Sequence, residues 1–251
     1  MSMVRTIRQR LRPIRRLAEA VKTGAIELPF LLRRPALGTS NWLIQREVRY
    51  GGYVTDVKRL RVSPLDRRTP EQLSSGGMTG GDRMLHHGYA STYSQYLMPF
   101  LGTPNVTLAE FGILKGSGLG IWCDLFPAAR VIGFDIDLRH FEVNRAALEH
   151  RGAFKRNTPE LHDYDQLASG TDRLQKVLGG DTLDIVIDDG LHSTESIITT
   201  WRSTIPFLSP RFVYFIEDYA DLLDAVGHEF DAYDRHAFGM LTVISRGLPT
   251  G

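Results

Sequence analysis

Two short apolar runs, each ending abruptly in paired carboxylates, constrain this chain most. They are Asp184-Ile-Val-Ile-Asp188-Asp189-Gly190-Leu191-His192 and Phe212-Val-Tyr-Phe-Ile-Glu217-Asp218. Four to six β-branched or aromatic residues bounded by acids or glycine read as buried parallel strands. The acids then fall where the strands end, at the carboxyl edge of an open sheet, the edge where α/β proteins keep their ligands. A buried strand has no packing use for two acids. The edge is therefore the expected active site.

Around these runs, strand and helix patterns alternate. Val106–Gly112 reads as a strand followed by a helix through Phe126, and Ala129–Asp135 as a second strand before a helix at Phe141–Leu148. A short strand near Glu160–Asp165, a helix over Thr171–Leu178, the two acid-tipped strands and a last strand over Gly239–Ser245 complete the series. A helix beginning at Ser193 separates the acid-tipped pair. This alternation predicts an α/β fold with a doubly wound, mostly parallel, Rossmann-like sheet. Residues 1–80 read as a basic N-terminal helical extension with a lid or linker, and residues 81–251 as the main domain.

Charge is unevenly spread. Residues 1–34 hold nine Arg or Lys against two Glu, whereas residues 181–234 hold twelve Asp or Glu against two Arg. Val4, Ile7, Leu11, Ile14, Ala18 and Val21 recur at helical spacing, with arginines on the other faces and Pro13 as an expected break. Such a helix docks on its own domain or on a sister copy, giving a homo-oligomer, or touches an anionic membrane surface. The same composition suits an organellar presequence. Nucleic acid is not expected as a partner. The single cysteine, Cys123, excludes an internal disulfide framework and fits a reducing, cytoplasmic setting. The sequence has no run of about 18 apolar residues and no secretory signal pattern.

Three clusters carry chemistry. Glu110-Phe-Gly112-Ile-Leu-Lys-Gly116-Ser117-Gly118 lies at a strand-to-helix turn, where glycines allow close backbone approach and a helix start offers free N–H groups. The dinucleotide and P-loop glycine signatures are missing. Glu110 beside a ligand's ammonium, with Asp135 at the next strand end accepting from a ribose, suits S-adenosylmethionine better than NAD. The alternative is that the glycines serve packing only. Asp189, Glu217 and Asp218 can converge on a hard cation, Mg²⁺ being the expected one, or can merely cap the helices that follow. His192, three residues after Asp189, is placed as a general base, or is a structural histidine.

Together these stretches resemble the macrocin and mycinamicin type of metal-dependent sugar O-methyltransferase, over roughly Gly80 to Glu217. The carrying residues are Asp82-Arg-Met-Leu-His-His87-Gly-Tyr89, Glu110 to Ser117, Gly133-Phe-Asp135-Ile-Asp137, Asp165-Gln166, Ile187 to His192 and Ile216-Glu217-Asp218. The resemblance implies the class I S-adenosylmethionine fold, metal ligation by Asp189, Glu217 and Asp218, and His192 as base. It implies cofactor contacts from Glu110, Gly112, Gly116, Ser117 and Asp135, with Asp165 and Gln166 near the adenine and Asp188 near the methionine part. Tyr89 or His87 would close the site. The implied acceptor is a sugar or glycoside, and a similar enzyme type serving methylated mannose polysaccharides makes a mannoside a candidate. A catechol-type acceptor, a non-enzymatic cofactor-binding scaffold and a Rossmann dehydrogenase are the competing readings, the last disfavoured by its glycine spacing.

Overall fold

The computed structural model describes residues 21–51, 61, 63–75 and 81–248. Nearly all of the amphipathic pattern from Val4 to Val21, the segment Tyr53–Val57 and the glycine-rich stretch 76–80 lie outside the described residues. Residues 21–31 are helical. The Gln45 amide ties their C-terminal end to the following helix by donating to the carbonyls of Phe30 (2.8 Å) and Arg33 (2.7 Å). Among the described residues no helix is long and apolar enough to cross a membrane.

Seven strands form one sheet in the order β3-β2-β1-β4-β5-β7-β6. They are β1 (Thr107–Phe111), β2 (Arg130–Asp135), β3 (Glu160–Asp163), β4 (Leu183–Asp188), β5 (Leu208–Ile216), β6 (Asp234–Phe238) and β7 (Leu241–Arg246). The first five are mutually parallel, and β7 runs antiparallel to both β5 and β6. The C-terminal segment thus supplies a hairpin pair where the sequence suggests one strand. The residues of β6 are all exposed and three of the five are charged or polar, so its pattern carries no strand signal. Both faces of the sheet are covered. Along β5, Val213 and Phe215 enter one core with Tyr93 and Trp122, while Phe212, Tyr214 and Ile216 enter the other with Trp201 and Phe230. This two-sided burial is why the strand reads as a continuous apolar run.

The helix Ala90–Leu97 places Tyr93 at 0% exposure, stacked 4.1 Å from Phe215 and 5.5 Å from Trp122. Tyr89 and Tyr96 of this segment are buried with it. The helix Ser40–Tyr50, with Trp42, Leu43 and Tyr50 buried, packs into the same core and contacts the helices Ala90–Leu97 and Ser117–Leu125. Tyr50 donates a hydrogen bond to Asp124 on the latter helix. Sheet order reverses at β1, which lies between β2 and β4. The crevice that forms at such a reversal is the usual ligand position in an open α/β sheet.

Candidate active site

Strand register brings the predicted acids to one edge. Phe111 pairs with Asp188 across β1 and β4, and Asp188 with Ile216 across β4 and β5, so Glu110, Asp189 and Glu217 end neighbouring strands. Backbone bonds continue past the strands: Asp189 N–H donates to Phe111 O (2.8 Å) and Glu217 N–H to Asp188 O (2.9 Å). A cleft of about 520 Å³ opens over this edge. Glu110, Gly112, Ser117, Asp135, Asp165, Gln166, Asp189, His192, Glu217 and Asp218 all line it. Gly116, Asp188 and Tyr89 do not line the cleft and stand behind its wall.

The glycine turn is shaped by close approach. Gly112 has φ 86°, and a Cβ there would strike the backbone of Asp189 and Gly190. A Cβ on Gly118 would strike the Glu110 carboxylate and the Arg83 guanidinium. Asp135 accepts from the backbone of Leu114 (2.9 Å) through Oδ2 and of Asp137 (2.9 Å) through Oδ1, leaving lone pairs toward the cleft. Asp165 meets Arg67 at 3.1 Å, so the segment carrying Arg67 crosses to the same end. Gln166 donates to Asp188 (2.6 Å) and accepts from Leu191 N–H (2.9 Å), pinning the loop after β4. Burial pushes the Asp188 carboxyl up to about 7, although the bond from Gln166 opposes this.

The acids expected to surround a cation divide into two groups. One ligand atom from each of Asp189, His192 and Asp218 lies within 4.8 Å of the others. Their side chains are 27%, 31% and 30% exposed, open to the cleft. Glu217, by contrast, is 2% exposed. Its carboxylate faces Arg83, whose Nε lies 2.8 and 2.9 Å from its two oxygens, and it accepts from the Tyr93 hydroxyl. Glu217 is therefore turned inward from the expected set because a buried guanidinium and a phenol hold it. His192 and Asp218 both have left-handed backbones, at φ 55° and 56°. Non-glycine residues hold this conformation when their surroundings impose it, and such positions cluster at functional sites. The donor set fits a hard divalent cation, held by the two carboxylates and completed by water.

His192 Nδ1 lies 3.2 Å from the Glu217 carbonyl, and Nε2 lies 3.6 Å from Asp189. A proton on Nδ1 donated to that carbonyl leaves the Nε2 lone pair free. Ser193 follows as a true N-cap: its hydroxyl accepts from Ser196 N–H and the Ser196 hydroxyl accepts from Ser193 N–H, both at 3.1 Å. That box fixes the start of the helix Thr194–Thr204 and hence the loop that presents His192.

The turn 82–89 closes the other side. Glu47 accepts from the amides of Met84 (2.7 Å) and Leu85 (3.0 Å), one on each oxygen, and burial pushes its carboxyl up to about 7. Tyr89 donates to Asp218 (2.8 Å). His87 sits 3.4 Å from Asp82 and 3.6 Å from Asp218, and the bond to Asp82 raises it to about 9. His87 and its neighbour His86 lie in this turn, with the His87 ring toward the acids.

No family model matches the chain. It is 28% identical over 206 residues to the 8-demethyl-8-alpha-L-rhamnosyl tetracenomycin-C 2'-O-methyltransferase of Streptomyces olivaceus, a match covering 76% of this chain and 49% of that protein. Among solved structures it superposes on MycE methyltransferase from the mycinamycin biosynthetic pathway, in complex with Mg and SAH. That match has a TM-score of 0.50 and 20% identity, and covers 66% of this chain and 53% of MycE. The chain has the class I methyltransferase fold. It spans about half the length of the curated relative it matches. Within this fold the cleft sits over the strand ends nearest the β1 reversal. Arg83, Tyr93 and Glu47 are the residues of the site that pattern reading does not assign.

Proposed function

We propose that this chain is an S-adenosylmethionine- and Mg²⁺-dependent O-methyltransferase acting on a hydroxyl of a sugar or glycoside, with His192 as the general base. One observation carries most of the weight: Asp189, His192 and Asp218 converge at the open end of the cleft, two of them on left-handed backbone. The named sugar O-methyltransferase relative and the shared fold support the same assignment. Asp189 and Asp218 would hold the cation, and Glu110, Gly112, Ser117 and Asp135 would line the cofactor's place, with Asp165 and Gln166 at its adenine end.

When bound, the cation lowers the pKa of an acceptor hydroxyl and the cofactor provides the methyl group. His192 Nε2 takes the hydroxyl proton, and the Glu217 carbonyl keeps the ring in the tautomer that can accept it. Tyr89 and His87 orient Asp218 from the opposite wall. The strand-end acids would hold acceptor and methyl donor side by side, and positioning of that kind is how a bound pair gains rate. A mannoside is one candidate acceptor. The basic first 34 residues are assigned to docking, on a second copy or a membrane surface, from their charge and spacing alone.

Isothermal titration with S-adenosylmethionine and with NAD, each with and without Mg²⁺, tests the assignment. Binding of S-adenosylmethionine and not of NAD is expected. The reverse selectivity would point to a dehydrogenase, and no binding of either would remove the cofactor assignment.

A further inference from the structure

The least expected side chain in the site is Arg83. It is 8% exposed, comes from a turn outside the sheet, and touches carboxylates at the ends of three strands. Nη1 lies 2.8 Å from Glu110, Nη2 lies 2.5 Å from Asp189, and Nε lies 2.8 Å from Glu217. Glu110 is the penultimate residue of β1, and Asp189 and Glu217 directly follow β4 and β5, so one guanidinium spans the edge from the expected cofactor end to the expected metal end. Its guanidinium carbon also lies 5.5 Å from the centre of the Trp122 ring, over its face. Gly118 keeps the space in which the Arg83–Glu110 pair lies.

Buried carboxylates this close repel unless a cation sits among them. Planar guanidinium carries donors in a rigid fork and can address several oxygens at once, which a lysine ammonium does as a point charge only. Neither Glu110 nor Glu217 shows another cationic side chain within ion-pair distance among the described residues.

We propose that Arg83 is a positioning residue that acts as a resident cation. It holds Glu110, Asp189 and Glu217 in their binding arrangement before any metal arrives, so that the cofactor cleft is formed in the metal-free protein. The proposal rests on the assignment of this cleft to S-adenosylmethionine and a divalent cation. In the wild type, cofactor affinity depends little on the metal. Without the guanidinium, the three carboxylates splay apart and the cleft forms only when a divalent cation restores positive charge at that edge.

The test is titration calorimetry with S-adenosylhomocysteine in EDTA and in saturating Mg²⁺, on the wild type, Arg83→Gln and Arg83→Lys. The wild type should bind with affinities within about threefold in the two conditions. Arg83→Gln should bind about tenfold or more weakly in EDTA, the size expected on losing a buried charge-assisted contact, and recover most of that loss in Mg²⁺. Arg83→Lys, keeping charge but not the fork, should fall between them. A merely structural role would weaken binding equally in both conditions. Equal losses, or an Arg83→Lys protein no better than Arg83→Gln, would overturn the proposal. If Arg83→Gln does not fold, Arg83→Lys decides alone: a metal-dependent loss supports the role, and a metal-independent loss refutes it. A wild type that fails to bind S-adenosylhomocysteine in either condition would instead sink the functional assignment.

Discussion

Glu47 offers a prediction whose size follows from the structure. Its carboxylate is 2% exposed and accepts one backbone amide on each oxygen, from Met84 and Leu85. Burial is the dominant influence and raises its pKa from the ordinary 4.5 to about 7, against the two amides, which lower it. The folded protein therefore holds a proton on Glu47 between about pH 4.5 and 7 that the unfolded chain has released. Where the folded state binds more protons, stability falls as pH rises. The contribution of Glu47 is thus greatest below pH 4.5, declines through that window and is flat above pH 7. The interval corresponds to about 3 kcal/mol. Glu47→Gln abolishes the titration while keeping the shape of the side chain. Urea denaturation at pH steps from 4.5 to 8 should show wild type losing about 3 kcal/mol relative to the variant, with the change confined to that window. Parallel stability curves would refute the assignment of a buried protonated Glu47. A change of opposite sign would mean that the two amides outweigh burial.

Other substitutions probe the remaining parts. His192→Ala should lower kcat by about 10² or more while the dissociation constant of S-adenosylhomocysteine stays within about threefold, because a general base contributes to the step and not to cofactor binding. Asp218→Ala should abolish the rise in melting temperature that Mg²⁺ gives the wild type in thermal-shift measurements. A ligand at a hundredfold its dissociation constant stabilises by about 2.7 kcal/mol, so the wild-type signal is readily seen. Gly118→Ala forces a methyl group into the Glu110–Arg83 pair and should destabilise the fold by about 1–3 kcal/mol in denaturant unfolding while weakening cofactor binding.

The central strands were legible because they are buried on both faces, so β4 and the 212–216 half of β5 read as apolar runs closed by acids, whereas the 208–211 start of β5, with its serine, proline and arginine, did not. The turn at Gly112 and the cap at Ser193 were legible because each uses residue types suited to a particular backbone need. β6 was not, since Asp234–Phe238 is exposed throughout and its pairing is set by β7. The division of the acids was also hidden. Asp189, Glu217 and Asp218 are equivalent in sequence, and only the arrival of Arg83 and Tyr93 from residues more than a hundred positions away turns Glu217 inward. An acid-rich edge with no basic residue at the strand ends does signal that a cation must come from elsewhere. Sequence spacing cannot say that it comes from the turn after Asp82, because that position is set by Glu47 holding the amides of Met84 and Leu85.

Transfer of a labelled methyl group from S-adenosylmethionine to a panel of glycosides and phenols, in Mg²⁺ and in EDTA, tests the functional assignment most directly. Label should pass to a sugar hydroxyl in Mg²⁺ and be lost in EDTA and in His192→Ala. Full transfer in EDTA would contradict the role of the cation, and transfer to phenols alone would contradict the sugar acceptor.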